Sequence, residues 1–159
     1  MSKWLDAMGA DPSNLGVVFD AYEHFEKEYD YLRSEIQEEK LRGRRLIEVA
    51  GKIAGLSEYV HAQWVHIRAV IALLELRLAS VTQNARRYYT ESYARALGAH
   101  QIEHYAKADP EVVAHTELLI RLGLLRDKLE GVSKGVERLH YQIGHIKEMR
   151  VAGIEDATL

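Results

Sequence analysis

The side chains best suited to binding chemistry are arginines and tyrosines that share one short stretch of the chain. They are Arg86, Arg87, Tyr88, Tyr89, Tyr93 and Arg95. Arginine neutralises phosphates, and a tyrosine ring offers a base a stacking surface that contributes about 1–3 kcal/mol per base. The stretch is therefore a candidate site for single-stranded nucleic acid. In the alternative interpretation, Tyr88 continues the apolar stripe of a helix and the arginines are ordinary helix surface.

A second basic cluster, Arg42, Arg44 and Arg45 around Gly43, precedes this stretch. We interpret it either as a solvated loop or as further phosphate contacts. The basic and acidic side chains number three and ten in residues 1–39, eleven and five in residues 40–107, and seven and nine in residues 108–159. Although the net charge of the chain is −3, its middle part is +6, and we expect an anionic partner there.

A separate motif has the spacing of a metal site. His100, Glu103 and His104 follow the His-x-x-Glu-His pattern of inverted zinc peptidases, which on a helix places both imidazoles on one face. Such peptidases also need a distant third ligand and a larger domain with a substrate cleft. A chain with eight histidines produces this short pattern easily by chance. We therefore predict no metal and no cofactor, and we interpret these residues as solvated helix surface.

Composition narrows the class of protein. The 159-residue chain is 47% hydrophobic and has two prolines and no cysteine. This favours helices and excludes disulfides, a thiolate nucleophile and a Cys-containing zinc site. The sequence has no serine nucleophile elbow, no glycine-rich phosphate loop and no pair of catalytic carboxylates, so we predict that the protein is not an enzyme. It also has no apolar run of membrane-spanning length, and we expect no membrane partner.

Heptad-spaced apolar residues predict the helices that position these side chains. The steps are three or four residues from Leu15 to Ile36, from Leu56 to Val81 and from Leu118 to Ile146. Such a stripe buries only a strip of surface, so it packs against long, nearly parallel partners. We predict an all-α fold in which residues 56–97 and 110–150 form a long helical hairpin, with an extra N-terminal helix and assembly into a helical oligomer.

Local signals predict where these helices begin and end. Asp11-Pro12 and Asp109-Pro110 each combine an N-cap residue with a first-turn proline, which predicts a helix start at both places. We expect residues 1–10 to form a loose tail. Gly55 predicts a turn before the central helix, and Gly98 predicts the end of that helix or a bend in it.

Two segments resemble the phage UvsY family of recombination mediators. The family's C-terminal pattern Ile-x-His-Ile-x-x-Met-Arg is matched by Ile143, His145, Ile146, Met149 and Arg150. The segment Leu74–Tyr89 is similar to the family's central helix, which ends in a basic stretch and Tyr-Tyr. Where that family has Lys-x-Arg before its tyrosines, this chain has Gln83-Asn84-Ala85, so the family's lysine has no counterpart.

The likeness extends over about residues 45–152 and predicts two parts of the chain. Residues 1–42 are an acidic N-terminal helix or extension, and residues 43–159 are a mediator-like hairpin domain. The resemblance implies a helical protomer in a homo-oligomeric ring of about seven subunits that binds single-stranded DNA on its rim. It also implies that the protein helps a RecA-like recombinase to load onto DNA covered by single-strand binding protein. We expect a cytoplasmic protein, in the host cytoplasm if a phage encodes it.

The DNA-binding prediction assigns a role to each candidate residue. Electrostatic capture falls to Arg86, Arg87 and Arg95, with a second basic patch at Arg42, Arg44 and Arg45. Tyr88, Tyr89 or Tyr93 stacks on bases. The acidic helix around residues 23–39 contacts a protein partner or keeps DNA away from one side. Two other interpretations stay open, a coiled-coil structural or assembly protein with no DNA role and a metalloenzyme that uses the histidine motif.

Overall fold

The computed structural model describes residues 3–10, 14–37, 41, 45–93 and 96–153, and these residues form five helices. The helices are α1 (Lys3–Ala10), α2 (Leu15–Glu35), α3 (Leu46–Glu91), α4 (Ala99–Lys107) and α5 (Pro110–Val151). Helix accounts for 91% of the described residues, and no strand occurs among them. The predicted all-α class is confirmed. No helix in the described part of the chain combines the length and apolar character needed to cross a bilayer.

The first ten residues differ from the prediction of a loose tail. Residues 3–10 form α1, in which Met8 is buried. The guanidinium of Arg77 on α3 donates a hydrogen bond to the Met8 carbonyl oxygen. The tail prediction is wrong because Met8 and its carbonyl contact residues far along the chain, which no local sequence signal indicates.

Helix α2 follows its predicted heptad stripe. Val18, Phe25 and Leu32, seven residues apart, are completely buried, so this helix faces the core along its whole length. The predicted start at Asp11-Pro12 lies outside the described residues. In the described part, the side-chain oxygen of Asn14 accepts a hydrogen bond of 2.8 Å from the Gly16 N–H, as an N-terminal cap does.

Helix α3 is longer at its start and shorter at its end than predicted. It runs unbroken through Gly51 and Gly55, so the predicted turn near Gly55 is wrong. The buried stripe continues across both glycines, which outweighs the cost of about 1 kcal/mol that glycine adds to a helix interior. The buried residues on this part of α3 are Val49, Ile53, Leu56 and Val60. At the other end α3 stops at Glu91, before the predicted end at residue 97.

Gly98 has a different role from the one predicted. It does not end α3 but is the N-cap of α4, with extended backbone angles of φ −73° and ψ 157°. Its N–H donates a hydrogen bond of 3.1 Å to the side-chain oxygen of Gln101. Helix α5 begins as predicted, because Pro110 is its first residue and Asp109 Oδ1 accepts a hydrogen bond of 3.0 Å from the Glu111 N–H.

Contacts group the chain into two compact units, each containing parts of the long helices. The first unit comprises Met1–Glu23 and Ile67–Leu124, and the second comprises His24–His66 and Leu125–Leu159. In the second unit, α2 and α3 run antiparallel, since Glu28 contacts Tyr59 while Glu35 contacts Lys52. The predicted division at residues 42 and 43 stays a prediction.

Candidate nucleic-acid interface

The predicted arginine–tyrosine stretch lies in the first unit, at the end of α3, where α4 folds against it. A small apolar cluster joins the last turns of α3, α4 and the start of α5. Its buried members are Ala85, Ala106 and Val112, with Leu78, Val81 and Tyr89 packed around them. Because this cluster has a buried residue from each of the three helices, it fixes the side chains of α4 beside those of α3.

The helix face that Tyr89 occupies decides which tyrosine belongs to the core. Tyr89 packs on the apolar cluster, and burial of its ring, followed by the charge of Asp109, raises the pKa of Tyr89. Tyr88 is 52% exposed. The alternative in which Tyr88 continues the apolar stripe is therefore wrong, since Tyr89 takes that place one turn after Ala85.

Four tyrosines form one aromatic cluster, which we call the tyrosine cluster: Tyr88, Tyr89, Tyr93 and Tyr105. The ring of Tyr89 lies 5.1 Å from Tyr88, edge to face, and 5.6 Å from Tyr105, with 28° between the ring planes. Tyr93 lies 5.6 Å from Tyr89 and 6.0 Å from Tyr105. The central ring is packed, whereas Tyr88, Tyr93 and Tyr105 remain 52%, 41% and 42% exposed. Rings held by their neighbours and open on one side are suited to stacking on bases.

Tyr105 is the member that sequence reasoning missed. It lies on α4, sixteen residues beyond Tyr89 in the chain, and no periodicity links the two. A usable signal is that α4 is too short to form a core of its own, so its aromatic side chain must pack on a neighbouring helix. Only the chain reversal between α3 and α4 brings the ring to Tyr89 and Tyr93.

The two adjacent arginines have different surroundings. Arg86 forms a bidentate ion pair with Glu103, since its Nε and Nη2 atoms donate hydrogen bonds of 2.8 Å to the two carboxylate oxygens. These hydrogen bonds raise the pKa of Arg86 and hold the pKa of Glu103 below its usual range. Lys107 lies 3.5 Å from the same carboxylate. The charge of Arg86 is thus already neutralised inside the protein.

Arg87 is exposed and forms no ion pair or side-chain hydrogen bond within the described part of the chain. It lies directly before Tyr88 in the chain. Of the second basic patch, Arg45 is exposed and belongs to the second unit. Arg42, Arg44 and Arg95 lie outside the described residues. Of the two described arginines in the arginine–tyrosine stretch, Arg87 is therefore the one that no described carboxylate holds.

The histidine motif of α4 does not assemble a metal site. Glu103 is held by Arg86 and Lys107, while His100 and His104 are exposed on the helix surface. No group of three or more histidine, aspartate or glutamate side chains in the described residues is arranged to hold a metal ion. The carboxylate that the peptidase interpretation needs as a base has instead a structural role, because it joins α4 to α3.

Compared with protein-family models, curated proteins and solved structures, the chain matches none of them. The resemblance to the UvsY family stays a prediction that depends on the sequence segments given above. The geometry of the tyrosine cluster and Arg87 is independent of that resemblance.

Proposed function

We propose that the protein is a recombination mediator that binds single-stranded DNA and assists the loading of a RecA-like recombinase onto DNA covered by single-strand binding protein. The observation that carries the DNA-binding part is the tyrosine cluster, which has three partly exposed rings. Arg87, next to Tyr88 in the chain, is exposed and has no ion pair among the described residues. The mediator part is supported by the resemblance of residues 74–89 and 143–150. The protein acts without catalysis.

The chemistry of the site favours single strands over duplex. Tyrosine rings bind bases by stacking, and only unpaired bases expose their faces to a protein surface. Phosphate attraction is weaker here because Arg86 is paired and Arg87 alone is available among the described arginines of the site. One phosphate contact on a single strand gives a slope of about −0.7 in a plot of log affinity against log salt. Stacking therefore supplies most of the affinity of one protomer.

We infer that the protomer is a helical hairpin of α3 and α5 with the N-terminal helices beside it, and that it forms a homo-oligomer. In the second unit, residues 53–57 of α3 and 136–141 of α5 line one groove, while His61 and Trp64 share another with Glu130. This order supports antiparallel pairing. Exposed apolar side chains support self-association, since Leu76 is 70% exposed and Ile120 and Leu124 are each 60% exposed. Several protomers then combine weak contacts along one strand.

The test is fluorescence anisotropy with labelled single-stranded and duplex oligonucleotides across a salt series. We expect preference for the single strand and a loss of about tenfold in affinity for both Arg87→Ala and Tyr88→Ala. The matched control is Arg121→Ala, which removes an exposed arginine from α5. We expect this control to bind like the wild type.

The outcomes separate the proposed function from its alternative. Binding that Arg87→Ala and Tyr88→Ala leave unchanged keeps DNA binding but moves the site, first toward Arg45. Absence of binding at low salt rules out the mediator and leaves a coiled-coil structural or assembly protein. A positive binding result leads to a loading assay, in which the protein shortens the lag of a RecA-like ATPase on DNA precoated with single-strand binding protein. Sedimentation velocity gives the oligomeric state.

A further inference from the structure

A groove between α2 and α3 in the second unit combines aromatic rings with carboxylates. It has a volume of about 520 Å³, and its lining includes Glu28, Tyr31, Glu35, Lys52, Gly55 and Tyr59. We call it the α2–α3 groove. Nothing in the DNA-binding proposal uses it, and none of its residues belongs to the tyrosine cluster. Its size is in the range of pockets that accept a small ligand or a side chain.

The two tyrosines supply open ring faces. Tyr31 is 52% exposed and Tyr59 is 40% exposed. The hydroxyl of Tyr59 donates a hydrogen bond of 2.7 Å to Glu28, and this bond, together with burial, raises the pKa of Tyr59 to about 12. The phenol therefore remains protonated and its ring stays neutral over the physiological pH range. A cation within about 6 Å of such a ring is attracted by the negative face of its π-system.

The charged side chains give the groove an excess of negative charge. Among the described residues that line the groove there are two carboxylates, Glu28 and Glu35, and one ammonium group, that of Lys52, which lies 2.6 Å from Glu35. Helix α2 itself carries six acidic and two basic side chains, so its net charge is −4. A carboxylate that accepts one hydrogen bond retains capacity for further donors. Glu28 can therefore hold a second donor while it holds Tyr59.

Gly55 keeps the wall of the groove open. A Cβ atom at this position meets no atom of the described residues within 4 Å, so packing among them does not require glycine here. A planar group can approach the α3 backbone at this point. Among the cations of proteins, the arginine guanidinium is planar, weakly hydrated and able to stack on an aromatic ring while it donates to a carboxylate.

We infer that the α2–α3 groove binds an arginine side chain of a protein partner, with the guanidinium against Tyr31 and Tyr59 and its N–H groups on Glu28. The charge complementarity of α2 and the combination of ring and carboxylate identify the occupant as basic and planar. The inference is independent of DNA binding, and either one can fail alone.

The test is fluorine NMR of the full chain labelled with 3-fluorotyrosine, titrated with N-acetyl-arginine amide. Resonances are assigned from the Tyr31→Phe and Tyr59→Phe variants. The neutral isostere N-acetyl-citrulline amide is the ligand control. We expect saturable shifts of the Tyr31 and Tyr59 resonances with the arginine derivative and none with the citrulline derivative. Shifts of the same size with both ligands overturn the inference. So does a shift of the Tyr141 resonance, on α5, that follows the arginine concentration in the same way as those of Tyr31 and Tyr59.

Two leucine variants separate blocking of the groove from loss of fold. Gly55→Leu fills the groove, whereas Gly51→Leu changes an equally open glycine of the same helix that does not line it. We expect Gly55→Leu to weaken arginine binding by about tenfold or more and Gly51→Leu to leave it unchanged. Neither variant is expected to lower the thermal midpoint, because leucine is a better helix former than glycine. Glu28→Gln retains an acceptor for the Tyr59 hydroxyl but removes the carboxylate charge, so we expect it to weaken arginine binding. Equal arginine binding by Gly55→Leu and the wild type contradicts the inference.

Discussion

Single residues decide which of the predicted arginines is available to a ligand. Sequence spacing treats Arg86 and Arg87 as equivalent, yet the carboxylate of Glu103 holds the first in two hydrogen bonds of 2.8 Å and leaves the second exposed. The pair has a structural role, since it joins α4 to α3 and so positions Tyr105 beside Tyr89. It also removes one positive charge from the surface that we propose to bind DNA.

Releasing Arg86 is expected to strengthen DNA binding. In Glu103→Gln the carboxylate charge is gone and the guanidinium can reach a phosphate, so we expect the affinity for single-stranded DNA to rise about two- to fivefold at low salt. The measurement is anisotropy at several salt concentrations. Glu91→Gln is the control, because it removes the same charge from the end of α3, the helix that carries Arg86, where Glu91 is exposed and has no ion pair with Arg86. An equal gain in DNA affinity in both variants would show only the general electrostatic effect of removing one negative charge.

The same pair gives a pH dependence with a defined sign. Its hydrogen bonds hold the pKa of Glu103 below the usual range, so the pair contributes stability at neutral pH and loses it when the carboxylate is protonated. We expect the thermal midpoint of the wild type to exceed that of Glu103→Gln near neutral pH. The difference should disappear as the pH falls below about 4. A difference that persists in acid contradicts an electrostatic origin.

Tyr59 provides a second titration at the opposite end of the pH scale. Its pKa is raised to about 12, chiefly by its hydrogen bond to Glu28, so this contribution to stability is complete at neutral pH and is lost as the pH rises from about 10 to 12. The tyrosinate absorbance of the wild type minus that of Tyr59→Phe should show the titration of one tyrosine, at a higher pH than an ordinary tyrosine. In Glu28→Gln the same titration should move toward the ordinary tyrosine range, and an unchanged curve would exclude Glu28 as the cause.

At the scale of elements, α3 shows how tertiary packing overrides a local breaker. Two exposed glycines lie in its first turns, yet the helix continues because buried residues on its other face hold it against α2 and α5 within the second unit. Packing against the described residues does not require these glycines, since a Cβ at Gly51 or Gly55 meets no atom of those residues within 4 Å. Gly135 differs, because its Cβ would lie 3.2 Å from Ile36 Cδ1.

This contrast predicts different effects of alanine at the two kinds of position. We expect Gly51→Ala to raise the free energy of unfolding by about 1 kcal/mol, since it improves helix propensity without a clash. Gly135→Ala should gain less or lose stability, because the contact with Ile36 offsets the propensity term. Urea unfolding followed by circular dichroism measures both. Equal gains in the two variants would show that α2 and α5 are not packed closely at Gly135.

At the scale of the whole molecule, α2 contributes buried residues to both compact units. The sequence suggested an acidic extension because the outer face of this helix carries Asp20, Glu23, Glu26 and Asp30. Its inner face holds fully buried residues in both units. The fully buried ones are Val18 and Ala21 in the first unit and Phe25 and Leu32 in the second.

Truncation of this inner face is expected to destabilise the protein strongly. We expect Phe25→Ala to lower the free energy of unfolding by about 3–5 kcal/mol through lost burial and a residual cavity. Phe19→Ala is the matched control, because this ring on the same helix is 47% exposed, and its effect should be well below that of Phe25→Ala. Urea unfolding at neutral pH compares the two. Equal small effects would instead support a separable N-terminal extension.

The sequence alone determined the all-α fold class and which faces of the long helices are buried. Alternation of three- and four-residue steps predicts buried faces on α2, α3 and α5, and an Asp-Pro pair marks the start of α5, because these signals depend only on neighbours within a few residues. The tertiary structure decided what depends on residues far apart in the chain. It placed Tyr105 beside Tyr89, paired Arg86 with Glu103, anchored α1 through Met8 and carried α3 past its glycines. Contacts between distant segments produce no periodic pattern in the sequence. Their free energies also exceed those of the local helix and turn signals on which a sequence-based prediction depends.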